Sequence, residues 1–196
     1  MLSCQPDLRK FHTISLPPWR FRQMVSTTTP TRRSVERGSL PTWVKPQLAT
    51  LVKEAPDGSG WLHEIKLDGY RMHARLDAGR VQILTRRGND WTGKYPAIAE
   101  AVSKLPAKTA YLDGELCGLL PDGRTAFNLI QNAGDTGEGS LIFFLFDLLF
   151  LDGENLMTLP LVDRKIRLEA FLVGDAVVKS VADYLMGKRS DGVPES

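Results

Sequence analysis

Glu64-Ile65-Lys66-Leu67-Asp68-Gly69-Tyr70-Arg71 decides how this chain is read: a lysine ends an apolar run, and an acid, a glycine and an arginine follow it. Strand alternation would point Lys66, Asp68 and Tyr70 to one side, and Gly69 would let the backbone bend or approach a ligand closely. Such a setting suits a nucleophile. An amine attacks phosphorus only when neutral, so a lysine whose pKa starts near about 10.4 needs partial desolvation or a neighbouring cation. Arg71 is the candidate cation. The competing reading is a surface ion cluster beside a turn, with Lys66 paired to Asp68 and Arg71 to Glu64.

Working outward, Tyr70, Met72, Ala74 and Leu76 alternate with Arg71, His73 and Arg75, and after the turn Asp77-Ala78-Gly79-Arg80 a second strand returns over residues 81–85. Pro96 stands where a first helical turn would begin, and Ile98, Val102 and Leu105 repeat at helical spacing, which predicts a helix over residues 95–105. Residues 111–119 read as a strand, 127–133 as a short helix stopped at Gly134, and 141–151 as an interior strand ended by Asp152-Gly153. An amphipathic helix over 161–172 follows. Hairpins mixed with helices predict an α+β fold with largely antiparallel sheet.

The chain has 196 residues, enough for one domain with a sizeable core, and a formal charge of +2. So small a net charge does not argue for nucleic acid, and a nucleic-acid surface would have to come from local clustering. Cys4 and Cys117 give neither a disulfide framework nor zinc spacing, and His12, His63 and His73 form no metal or triad pattern. The expected compartment is a reducing cytoplasm. The longest apolar run, 141–151, holds Asp147 and falls short of the roughly 18 residues a membrane span needs, so no membrane partner is expected. Residues 1–40 carry seven Lys and Arg from Arg9 to Arg37 against Asp7 and Glu36, with many Ser, Thr and Pro. This stretch reads as a basic, disordered extension or sequence upstream of the true start, with a phosphate-touching arm and a transit peptide as alternatives.

The octet at 64–71 resembles the K-x-D-G-x-R adenylation motif of ATP-dependent DNA ligases, and the run from Trp61 looks like the ligase module of bacterial end-joining ligases. Val44-Lys45-Pro46-Gln47-Leu48-Ala49 precedes it. Thr85-Arg86-Arg87-Gly88-Asn89-Asp90-Trp91-Thr92, Leu112-Asp113-Gly114-Glu115 and Phe146-Asp147-Leu148-Leu149 follow in the order that family uses. The resemblance covers about residues 41–172. It implies a nucleotidyltransferase (adenylation) domain of the ATP-grasp-like DNA ligase type. It also implies ATP as adenylyl donor, Mg2+, nicked or broken double-stranded DNA as substrate, and end-joining proteins as possible partners. By resemblance Lys66 is the nucleophile that becomes lysine-AMP, Glu64 faces the adenine amino group, and Arg71 contacts ribose or phosphate. Arg86 approaches the sugar and nick phosphate, Glu115 holds a ribose hydroxyl or metal, and Phe146 stacks on adenine. Asp68, Gly69 and Asp113 support the motifs. Without the resemblance, Phe146 would be read as core and Asp-Gly-Glu as a turn.

The family continues with a Glu-Gly-x-x-x-Lys strand, a Lys-x-Lys strand that grips the α-phosphate, and an oligonucleotide-binding barrel. Gly174-Asp175-Ala176-Val177-Val178-Lys179 and Gly187-Lys188-Arg189-Ser190 are faint echoes only. The expectation is therefore an adenylation domain at 41–172 that is incomplete at its C-terminal end and lacks the barrel, followed by a divergent tail at 173–196, with weak or no sealing activity alone. Two alternatives stay open. One is a non-catalytic remnant that binds nucleotide or DNA ends, and the other is a related RNA ligase or capping nucleotidyltransferase.

Overall fold

The alternation that begins at Tyr70 folds as the sequence predicts, and the remaining strands assemble around it. A computed structural model describes residues 35–48, 53, 62, 64, 67–120, 125–136, 140–172 and 178–180. Its strands are β1 (Glu36–Arg37), β2 (Tyr70–Asp77), β3 (Arg80–Thr85), β4 (Thr109–Gly118), β5 (Leu141–Leu151), β6 (Glu154–Asn155) and β7 (Val178–Ser180). The helices are α1 (Pro96–Ser103), α2 (Phe127–Thr136) and α3 (Leu161–Phe171). One sheet runs in the order β1-β6-β5-β4-β2-β3, and β7 joins β5 beside β6. Every pairing is antiparallel except β5 with β7, so the expected α+β, largely antiparallel architecture is what forms.

Both faces of the sheet are covered. On one face Met72, Ala74 and Leu76 of β2 meet Leu112 and Leu116 of β4 and Phe143 and Leu145 of β5 in the main core, over which α1 lays Ile98, Ala101 and Val102 and α3 lays Leu168 and Phe171. Burying one such Phe or Leu is worth about 1.5–3 kcal/mol. On the other face Tyr111, Leu149 and Phe150 form a smaller cluster closed by Leu40 and Val44, and Cys117, Ile142 and Phe144 form another with Leu67 and Leu119. The segment from Leu40 to Val44 is thus a cover for the second face. Arg75 Nε donates to Pro41 O at 3.0 Å, and Val44 N–H donates to Tyr111 Oη at 3.0 Å.

Turn chemistry fixes the register. Ala78 (φ 49°) and Gly79 (φ 86°) both sit in the left-handed region, the two-residue hairpin turn that matches strand twist. Asp152 (φ 43°) and Gly153 (φ 87°) repeat the device between β5 and β6, and Asp152 Oδ1 accepts from the N–H groups of Lys108 and Thr109, each at 2.9 Å.

Some expectations change. Helix α2 runs through Gly134 to Thr136, because an interior glycine costs only about 1 kcal/mol and does not by itself stop a helix. Leu67, Asp68 and Gly69 precede β2 instead of extending it, so strand alternation does not carry Asp68 to the side of Tyr70. β1 lies within the first forty residues that composition set apart, and Gly38 N–H extends its pairing to Gly153 O at 3.0 Å. Backbone hydrogen bonding needs no apolar side chains, which is why composition did not show it. β7 falls within the tail at 173–196, and its partner is β5. Residues 1–34, including the rest of the basic stretch, lie outside the described residues.

Candidate active site

The β2–β4 register builds the site. Arg71 faces Glu115, His73 faces Asp113 and Arg75 faces Tyr111, so six polar side chains share the face opposite the main core. Arg71 reaches diagonally to Asp113 and grips it with both arms, Nε to Oδ1 at 2.6 Å and Nη2 to Oδ2 at 2.7 Å. This fork-on-carboxylate geometry is the strong form of an ion pair. The guanidinium carbon lies 4.4 Å from the centroid of the Phe146 ring. Phe146 itself sits at an irregularity. Gly114 pairs with Leu145 and Asp113 with Asp147, which leaves Phe146 as the extra residue of a β-bulge, a device that re-aims a side chain. Behind the bulge Arg164 holds Asp147 with Nε and Nη2, both at 2.8 Å, and donates from Nη1 to Leu159 O at 2.7 Å.

Glycines let these strands close up. A Cβ at Gly114 would lie 2.6 Å from Phe144 O, and one at Gly69 would lie 2.2 Å from Leu116 O. Gly69 is therefore required for close approach to β4. Past β3, Gly88 (φ 83°) closes a tight loop with its N–H on Thr85 O at 2.8 Å, which presents Arg86 and Arg87 to solvent. Between this loop and the start of β2 lies an open cleft of about 450 Å³, whose walls include Gly69, Arg71, Arg86, Arg87, Trp91 and Glu115.

Electrostatics follow from burial. Burial alone would lower the Arg71 pKa, but the hydrogen bonds and charge of Asp113 outweigh it and hold the value above the ordinary one. Burial pushes His73 below its usual value, opposed by Asp113 and assisted by Arg71, so the ring is neutral at pH 7. Burial also pushes the Tyr111 hydroxyl and the Cys117 thiol up to about 12 each, which leaves both protonated and Cys117 unreactive.

A family pattern described as "ATP dependent DNA ligase domain" matches residues 45–191. The chain belongs to the ATP-dependent DNA ligase family. This ligase domain is 42% identical over 153 residues to the multifunctional non-homologous end joining protein LigD of Pseudomonas aeruginosa, a match that covers 74% of the chain and 18% of that protein. It is 35% identical over 140 residues to a probable DNA ligase of Mycolicibacterium gilvum, covering 65% of the chain and 27% of the relative. The chain thus spans well under a third of these curated relatives. The crystal structure of the ligase domain of M. tuberculosis LigD aligns at 30% identity with a TM-score of 0.49, covering 64% of this chain and 43% of that one.

Within the ligase domain the structure brings Gly69, Arg71, Arg86 and Glu115 to one cleft, with Phe146 against Arg71. Asp113 lies behind as the anchor of Arg71, 5% exposed. Lys66 is outside the described residues. Asp68 is exposed. Glu64 pairs with Lys165, whose Nζ is 5.7 Å from the Phe146 ring centroid. The surface cluster weighed against a functional site is therefore wired differently, since Arg71 takes Asp113 and Glu64 takes Lys165. Asp113-Gly114-Glu115 is mid-strand, not a turn. Sequence reasoning missed His73, Tyr111, Arg164 and Lys165. A histidine at the polar phase of β2 and an aspartate inside an apolar strand were the available signals, because each needs a buried partner.

Among the described residues no group of three or more His, Cys, Asp or Glu stands ready for a metal. Magnesium is commonly held by one or two carboxylates together with substrate phosphates, and Glu115 on the cleft wall supplies one such carboxylate. That donor set fits a magnesium ion carried largely by a nucleotide.

No helix among the described residues is long and apolar enough to cross a membrane.

Proposed function

We propose that this chain binds ATP in the cleft between β2, β4 and the Arg86 loop and transfers the adenylyl group to Lys66, as the first step of joining DNA ends. The observation that carries this reading is the Asp113-anchored Arg71 fork, which lies against Phe146 and shares one cleft with Glu115 and Arg86. Its chemistry matches the parts of an adenine nucleotide: cations for phosphate, a carboxylate for a ribose hydroxyl, and an aromatic ring for the base. Glu64, released from Lys165, offers an acceptor for the adenine amino group.

In the proposed step the neutral Lys66 amine attacks the α-phosphorus, a nitrogen–phosphorus bond forms, the bond to pyrophosphate breaks, and the amine loses a proton to solvent. Arg71 and Arg86 stabilise charge on the phosphoryl oxygens, and anchoring by Asp113 keeps Arg71 from reorganising as the charge develops. Glu115, together with the nucleotide, would hold magnesium, which would neutralise further phosphate charge. The adenylyl group then passes to a DNA 5′-phosphate, and the 3′-hydroxyl displaces AMP. The relatives' names point to broken double-stranded DNA as the substrate and to end-joining proteins as partners.

The test is self-adenylation, read by intact mass after incubation with ATP and magnesium, for the native chain and Lys66→Ala. An AMP adduct confined to the native chain is the expected result. A folded native chain that forms no adduct would refute the proposal.

A further inference from the structure

Behind Arg71 the site face holds a buried polar chain whose two central members, His73 and Tyr111, lie in none of the ligase motifs. Val44 N–H donates to Tyr111 Oη at 3.0 Å, and Tyr111 Oη lies 2.7 Å from His73 Nδ1. His73 Nε2 lies 3.4 Å from Asp113 Oδ1, off the line of a good hydrogen bond. His73 is fully buried, and its Nε2 is the one buried side-chain polar atom among the described residues that lacks a hydrogen-bond partner. An orphan of this kind asks for an explanation.

The tautomer can be reasoned out. Because the Val44 N–H already occupies one lone pair of Tyr111 Oη, the phenolic proton is free to donate, and the neighbouring acceptor is His73 Nδ1. The ring proton of a neutral imidazole then sits on Nε2, on the side of the Asp113 carboxylate 3.4 Å away. The opposite tautomer would leave the phenolic proton unpaired and turn a lone pair toward an anion. Asp113 in turn uses both oxygens on Arg71 Nε and Nη2, which leaves Arg71 Nη1 without a protein hydrogen-bond partner among the described residues.

We propose that His73, locked by Tyr111 and the Val44 amide, is a positioning residue that acts through Asp113 to aim the Arg71 fork into the cleft. The proton on Nε2 restrains rotation of the carboxylate, so both oxygens stay in the plane of the guanidinium and Nη1 is presented to an incoming phosphate or sugar oxygen. The nucleotide as the ligand aimed at rests on the functional reading above, whereas the restraint on Arg71 does not.

The experiment uses the full chain labelled with ¹⁵N at His and Arg, together with His73→Leu and His73→Gln. The expected result is a neutral Nε2–H tautomer for His73 at pH 7 and an Arg71 Nε–H resonance that shifts and exchanges faster in His73→Leu. ATP binding should weaken about threefold to tenfold in His73→Leu, the size of one lost buried polar contact. His73→Gln, whose amide can still donate toward Asp113, should keep most of the affinity. If His73 served only to fill space, leucine would be the better substitute. An Nδ1–H tautomer, an unmoved Arg71 signal in His73→Leu, or glutamine binding ATP no better than leucine would each overturn the proposal. Should His73→Leu not fold, the tautomer and the glutamine variant decide it. A native chain that binds no ATP would refute the functional reading, while the imidazole and guanidinium signals would still decide the positioning role.

Discussion

Replacing Gly69 by alanine tests whether this glycine serves backbone freedom or close approach. Its φ is not in the left-handed region, unlike those of Gly79, Gly88 and Gly153, so an alanine meets no dihedral strain there. It meets β4 instead. The new Cβ would lie 2.2 Å from Leu116 O, 2.8 Å from Cys117 Sγ and 3.0 Å from Glu115 Cγ. Carbon and carbonyl oxygen approach comfortably only to about 3.3 Å, so the strands must part by about 1 Å at this point. Leu116 cannot move freely, because it pairs with Tyr70 on one side and Phe143 on the other. One or two weakened ladder bonds at about 1 kcal/mol each, plus about 1–3 kcal/mol of overpacking, put the cost at about 2–5 kcal/mol. The control is Gly79→Ala, where no atom lies within 4 Å of the new Cβ but φ is +86°. There strain alone should cost about 1–2 kcal/mol. Denaturant unfolding of the native chain and both variants measures the two mechanisms side by side. If Gly69→Ala lost no more than Gly79→Ala, the close-approach reasoning would fail.

Other outcomes follow from the same geometry. Asp113→Asn keeps the volume but removes the charge from a side chain 7% exposed, and because Arg71 is 26% exposed the loss should be about 2–3 kcal/mol, below that of a fully buried pair; unfolding curves check it. Since burial lowers the pKa of His73 from 6.5, the unfolded chain takes up a proton below pH 6.5 that the folded chain refuses. Stability should therefore be flat with respect to this group above pH 6.5 and fall as pH drops, by about 1.4 kcal/mol per unit, until the folded pKa is reached. Among the described residues the charged and titratable groups facing His73 are Asp113, Arg71 and Tyr111, and urea midpoints at pH 7.5 and 5.5, compared with His73→Gln, isolate its share. Ala78→Asn places a residue tolerant of positive φ in the hairpin turn and should stabilise by about 0.5–1 kcal/mol, seen as a raised melting temperature.

Much of this protein was written locally. Strand period 2 from Tyr70, the Ala78-Gly79 turn, Pro96 at a helix start and the apolar run ending at Asp152-Gly153 each depend on neighbours a few residues away, and the structure places those elements within a residue or two of expectation. The motif order likewise singled out Arg71, Arg86 and Glu115, which meet in one cleft. Partner choice was another matter. Arg71 could pair with Glu64 or Asp113, and only the β2–β4 register places Asp113 within 2.7 Å. Phe146 lies in a run that alternation alone assigns to the core, and a β-bulge against Gly114 turns it toward Arg71. The polar phase of β2 marks His73, but its full burial is set far away in sequence, because its cover comes from residues around Val44 and its partners from a strand some forty residues on. Local sequence sets which backbone shape each segment prefers; which charges end up sharing a face is set by strand register and the closing of distant segments, and that is decided only when the whole sheet assembles.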